Sequence, residues 1–173
     1  MNQLILSLGS NINSRSLSIK KACQAISDEV GSISKTSKIY STPPLGFDSE
    51  TAFLNCCLLV ETTLNVSQVL LATKKIEKTL GRTQESIDKK YASRTIDIDI
   101  IFFNKKIIKS SNLVIPHLLF KDRRFVLEPL KDIASSYVDP LSSLTVEQLL
   151  NNCKDNSNIT IHKNQFLDTL CGK

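Results

Sequence analysis

Residues 53–62, Phe53-Leu54-Asn55-Cys56-Cys57-Leu58-Leu59-Val60-Glu61-Thr62, carry the clearest strand pattern in the chain. Side chains alternate across a strand, so Phe53, Asn55, Cys57, Leu59 and Glu61 share one face. Leu54, Cys56, Leu58, Val60 and Thr62 share the other. Toward the N-terminus, Pro43-Pro44-Leu45-Gly46 must be loop, because two prolines fix φ and remove two backbone donors. Before that loop, about Ser32 to Ser41 reads as a strand. A helix precedes it from about Ser16, with Ile19, Ala22, Cys23, Ile26 and Val30 at helical spacing and Gly31 at its end. Gln3 to Leu8 reads as a first strand, broken by Gly9-Ser10-Asn11.

Toward the C-terminus, Ser67 is the expected N-cap of a helix with Val69, Ala72, Thr73, Ile76 and Leu80 on one side. Leu70, Lys74, Glu77 and Lys78 lie on the other, and Gly81 closes it. Arg82 to Ala92 is charged and aperiodic, hence loop. Thr95 to Phe103 is a strand, with a short hairpin partner at Lys106 to Lys109 past a turn at Asn104-Lys105. Pro116-His117 opens an irregular segment. Arg124 to Ala134 and Thr145 to Asn151 read as short helices, with Pro129 expected near a start or a kink.

The order β-α-β-β-α-β predicts an α+β fold of ferredoxin-like type: an antiparallel sheet with both helices on one face. Long loops would build a site on the other face. A chain of 173 residues suits a single domain spanning 1–173. No apolar run reaches the roughly 18–20 residues a membrane span needs, and the start lacks a signal-peptide pattern, so a cytoplasmic protein is expected. Five cysteines without a CxxC pair or a His cluster support neither a zinc site nor a disulfide framework. The net charge of +5 suits an anionic partner without saying which.

The sharpest chemical signal is Arg94-Thr95-Ile96-Asp97-Ile98-Asp99-Ile100. On a strand Asp97 and Asp99 point the same way, roughly 6.6 Å apart at Cα. Two neighbouring carboxylates repel and resist burial, and a divalent cation resolves both problems. Magnesium prefers one or two carboxylates plus substrate phosphates, so the pair is a suitable cradle for Mg-ATP. The plainer alternative is the solvated face of an edge strand. A second signal is Tyr40-Ser41-Thr42 before the proline loop, with Phe53 and Asn55 setting an aromatic beside an amide. A third is the cation set Arg82, Lys89, Lys90, Arg94, His117, Lys121, Arg123 and Arg124, able to neutralise phosphate charge beside an acidic pair.

Together these stretches resemble the 6-hydroxymethyl-7,8-dihydropterin pyrophosphokinase family. The matching features are Leu8-Gly9-Ser10-Asn11, Tyr40 through Gly46, Phe53-Leu54-Asn55, Gly81-Arg82, Arg94 to Asp99, Pro116-His117, and Arg123 with Phe125, covering residues 4–134 in the family's order. The resemblance implies pyrophosphate transfer from ATP to the hydroxymethyl group of 6-hydroxymethyl-7,8-dihydropterin, giving the pterin diphosphate and AMP, in folate biosynthesis. It implies two Mg2+ ions on Asp97 and Asp99, with Arg82 and Arg94 as catalytic cations. Phe125 and Phe53 would stack on the pterin, and Asn55 with backbone groups of Thr42, Pro43 and Leu45 would read its edge. Leu70, Lys74, Glu77, Arg82, Arg94, Ile100, Val114, His117 and Arg123 would line the ATP side. The expected protein is a monomer acting on small molecules, without nucleic acid or membrane.

Several positions depart from the family's bacterial pattern. Gln84 stands where a second loop arginine is common, Tyr91 where a tryptophan is, and Ala92-Ser93 replaces Gly-Pro. Lys89 and Lys90 are the candidates to replace the missing arginine charge, without its bidentate fork. Asn112 and Leu118 replace polar or basic residues on the ATP side. A basic nucleic-acid-binding module would need aromatics where Asp97 and Asp99 stand. A polymerase-like nucleotidyltransferase would leave Pro43 to Gly46 unexplained.

Overall fold

The computed structural model describes residues 1–12, 14–42, 52–81 and 95–167. In chain order its elements are β1 (Asn2–Ser10), α1 (Arg15–Glu29), β2 (Ser32–Thr36), β3 (Tyr40–Thr42), β4 (Phe53–Thr62) and α2 (Val66–Thr79). Then follow β5 (Asp97–Phe103), β6 (Ile108–Lys109), β7 (Val114–Ile115), a 3-10 turn at Phe120–Asp122, α3 (Arg124–Ala134), α4 (Val146–Asn152) and β8 (Thr160–Ile161). The main sheet has the order β5-β1-β4-β3-β8, with β2 also on β4, and every pairing in it is antiparallel.

β1 is the axis of the sheet. Leu4, Leu6 and Leu8 point to one side with Leu54, Cys56, Leu58, Ile98 and Ile100, and are covered by Ile19, Ala22, Cys23 and Ile26 of α1 and Val69 and Ile76 of α2. The opposite side is not left to loops, as the sequence reading expected. Ile5, Cys57, Ile101 and Phe102 form a second apolar cluster with Val126, Leu127, Leu130 and Ile133 of α3 and Val146 and Leu149 of α4. Apolar residues on that face would otherwise meet water, so the extra helices bury them. A register shift helps: Leu6 pairs with Ile100 and Ile5 with Phe102, so Ile101 is an extra residue. Ile101 and Phe102 both join the second cluster, and Phe103 returns to the first.

Other boundaries move for local reasons. Gly9 does not break β1, which runs to Ser10. The N-cap of α2 is Asn65 rather than Ser67: Asn65 Oδ1 accepts the Gln68 N–H at 3.0 Å and Gln68 Oε1 accepts the Asn65 N–H at 2.8 Å, a reciprocal capping box. The strand expected over 32–41 is split at Ser37, whose hydroxyl accepts the Cys57 N–H at 2.8 Å where a backbone carbonyl would otherwise serve. β6 pairs with β7 and not with β5. Pro129 lies inside α3, where it offers no N–H to the Phe125 carbonyl. Among the described residues no helix is long and apolar enough to cross a membrane.

Gly31, at the turn from α1 into β2, leaves no room for a side chain: a Cβ there would meet the Glu61 carbonyl oxygen at 2.2 Å. Gly31→Ala is expected to destabilise the fold by about 1–3 kcal/mol, the usual cost of overpacking, measured by urea denaturation.

Candidate active site

The register from the edge strand β5 through β1 and β4 to β3 sets one polar row across the sheet. Gly9 on β1 lies opposite Asp97 on β5 and opposite Asn55 on β4, and Asn55 lies opposite Tyr40 on β3. Directly opposed residues point to the same face, about 4.8 Å apart from strand to strand. One step along, Ser7 lies between Asp99 and Cys57. The face is therefore divided: its apolar end is covered by α3 and α4, and its polar end carries Asp97, Asp99, Gly9 and Asn55. A methyl group on Gly9 would sit 3.0 Å from Asn55 Oδ1, so glycine keeps the gap between carboxylate and amide clear. The sequence reading assigned Gly9 no role; its place opposite Asp97 follows only from the register.

Asp97 and Asp99 are both half-buried, where a solvated face would leave them exposed. Two contacts fix the start of their strand. Ser10 Oγ donates to the Thr95 carbonyl at 2.6 Å. Glu77, 1% exposed, accepts the Ile98 N–H on Oε1 at 2.8 Å and pairs through Oε2 with Lys74 Nζ at 2.9 Å. Glu77 thus belongs to the buried side of α2, not to the outer side that helical spacing suggested. Burial raises its pKa, the Lys74 ammonium and the Ile98 N–H partly offset this, and nearby Asp97 adds to the rise. Its carboxyl braces β5 between the two aspartates.

On the other side of the row, Asn55 is 3% exposed and donates through Nδ2 to Thr42 Oγ1 at 2.8 Å. Thr42 lies opposite Phe53, so Thr42, Phe53 and Asn55 form one patch. Phe125, in the first turn of α3, is half-buried against the second apolar cluster, and the Arg123 guanidinium lies 5.7 Å from its ring centre. Behind the patch, Asp132 of α3 accepts the Tyr40 hydroxyl at 2.9 Å and the Lys38 N–H at 3.0 Å. Burial and that carboxylate raise the Tyr40 pKa, so its hydroxyl stays protonated and keeps donating. Pro43, Leu45, Arg82, Lys89, Lys90 and Arg94 lie outside the described residues.

Asp99 also opens onto a cleft of about 320 Å³. Leu70, Lys74, Ile100, Val114 and His117, all expected on the nucleotide side, line it together. So do Asn112 and Leu118, with Ile98, Leu113 and the Ser110-Ser111 turn, which the sequence reading did not single out. Apolar side chains, among them Leu70, Ile100 and Val114, stand there beside the polar Lys74, Asp99, Ser110, Asn112 and His117. Among the described residues Glu77 and Arg123 do not line it.

His117 stands at its rim with a fixed tautomer. Nδ1 accepts the Leu119 N–H at 3.3 Å, which leaves the ring proton on Nε2 as a donor. Burial and the Arg123 guanidinium lower its pKa to about 4, against a smaller upward pull from Asp97. A neutral imidazole beside a nucleotide can donate one hydrogen bond to a phosphate oxygen without exchanging protons near pH 7.

A mixed polar and apolar cleft and an aromatic-amide patch lie to either side of a single pair of carboxylates, an arrangement that suits group transfer. The comparisons with known proteins name the class. The family described as 7,8-dihydro-6-hydroxymethylpterin-pyrophosphokinase (HPPK) matches residues 5–135, and the chain belongs to it. The family's description names a pyrophosphokinase, and several relatives, of whose length this chain spans a quarter or so, carry names of folate synthesis. The 2-amino-4-hydroxy-6-hydroxymethyldihydropteridine pyrophosphokinase of Bacillus subtilis is 34% identical over 144 residues, 83% of this chain and 84% of that protein. The folic acid synthesis protein fol1 of Pneumocystis carinii is 40% identical over 141 residues, 82% of this chain but 19% of that longer protein. Wild-type HPPK-DHPS of Plasmodium falciparum with pteroate aligns with a TM-score of 0.71 over 87% of this chain and 42% of its own, at 18% identity, a likeness of fold.

The depressed His117 pKa has a consequence for stability. As pH falls, the unfolded chain binds a proton near the ordinary 6.5 while the folded protein resists until about 4. Stability is therefore present above about pH 6.5 and drains away down to about pH 4. The thermal midpoint of His117→Asn should fall less steeply than that of the parent across this window; parallel curves would contradict the assignment.

Proposed function

We propose that this chain transfers the pyrophosphoryl group of ATP to the hydroxymethyl oxygen of 6-hydroxymethyl-7,8-dihydropterin, with AMP as the other product. The observation that carries this reading is the register that sets Asp97 across Gly9 from Asn55 while Asp99 opens on the cleft. One strand then faces both ligands. Adenine would lie in the slot of Leu70, Ile100 and Val114, with the phosphates running toward Asp99 past His117 and Lys74. The pterin would lie on the Thr42, Phe53 and Asn55 patch, with Phe125 on its other face and its hydroxymethyl group over Gly9.

The carboxylate pair fits magnesium in its donor chemistry: two hard oxygen ligands on one face, half-buried, with Gly9 leaving space beside them. When bound there, two Mg2+ ions would offset triphosphate charge and favour ionisation of the pterin hydroxyl. Asp97 and Asp99 hold that charge in place, and Glu77 and Ser10 keep their strand still. The hydroxymethyl oxygen forms a bond to the β-phosphorus as the bond from the β-phosphorus to the α-β bridging oxygen breaks, and its proton leaves to water. His117 donates to a phosphate oxygen, and Arg123, Arg82 and Arg94 are the cations available to the charge that develops. No side chain is needed as a nucleophile. The proposal extends to the fold, read as a ferredoxin-like core with α3 and α4 added, and to a cytoplasmic monomer acting on small molecules, not nucleic acid.

AMP formation from ATP tests it, with and without the pterin, in magnesium and in EDTA. The expected result is AMP that requires both pterin and magnesium, and a loss of at least about a hundredfold in Asp97→Ala. AMP independent of the pterin, or an unimpaired Asp97→Ala, would contradict it.

A further inference from the structure

Residues 153–167 lie beyond the family match and close against two elements of the pterin half. β8 extends the sheet on β3 through Tyr40 opposite Ile161 and Ser41 opposite Thr160, and the His162 N–H donates to the Ile39 carbonyl at 2.8 Å. Gln165 completes this edge with its side chain. Its Oε1 accepts the Ile39 N–H at 2.8 Å, while Nε2 donates to the carbonyls of Ile39 at 3.1 Å and His162 at 2.6 Å. Leu167, 1% exposed, anchors the segment in the core beneath α1 and α2. Upstream, Asp155 Oδ2 accepts the Arg124 N–H at 2.9 Å, a first-turn donor of α3 that no helical carbonyl reaches. Burial opposes ionisation of Asp155, but the bonds from Ser157 and Arg124 outweigh it and hold the carboxyl below its ordinary range.

We propose that residues 153–167 are a strap for the pterin half of the site, with Gln165 positioning β3 and Asp155 positioning the start of α3. Each contact lies close in sequence to a side chain that faces the pterin in the reading above, Ile39 three residues before Thr42 and Arg124 one before Phe125. β3 (Tyr40–Thr42) begins directly after the strapped Ile39. A strand of three residues has few bonds of its own to fix it, so the pairing of Tyr40 and Ser41 on its outer edge supports Thr42, which pairs inward with Phe53 and accepts from Asn55. None of the strap's bonds named here reaches β5 or the nucleotide cleft. Gln165 should therefore act on the pterin and not on ATP, whereas Asp155, bonded to the residue between Arg123 and Phe125, should act on both.

The inference rests on the pterin placement proposed above, and the test separates the two. In the full-length chain, Gln165→Ala, Asp155→Ala and Asp155→Asn are compared with Asn164→Ala, an exposed residue of the same segment, and with Phe125→Ala. Steady-state kinetics give KM for pterin and for ATP, and kcat, beside thermal midpoints. Gln165→Ala should raise the pterin KM about three- to tenfold, the effect of about one hydrogen bond, with ATP KM and kcat within about twofold; Asp155→Ala should raise the pterin KM to a like extent, with a rise in ATP KM no larger. Asp155→Asn keeps an acceptor for the Arg124 N–H and should recover most of the loss; Asn164→Ala should match the parent. An unchanged pterin KM in both strap variants, or equal rises in both KM values with a lowered midpoint or loss of folding in Gln165→Ala, would overturn the strap as a positioning device. A raised pterin KM in Phe125→Ala with silent strap variants would overturn the strap alone. An unchanged pterin KM in Phe125→Ala would overturn the pterin placement and the strap with it.

Discussion

Everything at this site depends on the antiparallel register of β1 against its two neighbours. Because Gly9 faces both Asp97 and Asn55, one glycine joins a charged strand to an amide-bearing strand across a gap small enough for a single reacting group. A slip of one residue would turn Asp97 and Asp99 into the α1 and α2 core and Ile98 out of it. Ile96, Ile98 and Ile100, all buried, forbid that slip. The hydrophobic core thus aims the carboxylates, and the chemistry depends on packing two layers away.

The same face shows how a fold pays for a polar site. Its far end is apolar and is sealed by α3 and α4. Its near end carries Asp97, Asp99 and Asn55 and is held by hydrogen bonds: Glu77 on the Ile98 N–H, Ser10 on the Thr95 carbonyl, Asn55 on Thr42. The extra residue at Ile101 lies near the boundary, shifting the strand from alternating faces to two successive residues in the second core. α3 serves both ends, packing Val126 and Leu130 below while its first turn carries Phe125.

Much of this was legible in the sequence. The helix and strand order followed from periodicity, and the Asp-x-Asp alternation placed both carboxylates on one face before any coordinates. The Leu70, Lys74, Ile100, Val114 and His117 set, expected on the nucleotide side from family resemblance, does line one cleft. What failed to show was what depends on distant pairing. Glu77 looked like a surface residue of α2 because helical spacing cannot say that a strand N–H lies above it. Gly9 read as a strand break, since a glycine inside a strand has no signature until its partners are known. The second helical layer was missed because α3 and α4 follow the βαββαβ pattern and no local rule says which face they cover. The split at Ser37 depends on a hydroxyl standing in for a carbonyl, which periodicity does not encode.

The central claim is that the two halves of this sheet face exchange a pyrophosphoryl group, and the fate of isotope in ATP tests it most directly. With ATP labelled at the α-phosphate or at the γ-phosphate, and the pterin as acceptor, the α label should appear in AMP and the γ label in the pterin diphosphate. Appearance of the α label in ADP, with the γ label alone on the pterin or released as inorganic phosphate, would contradict the account.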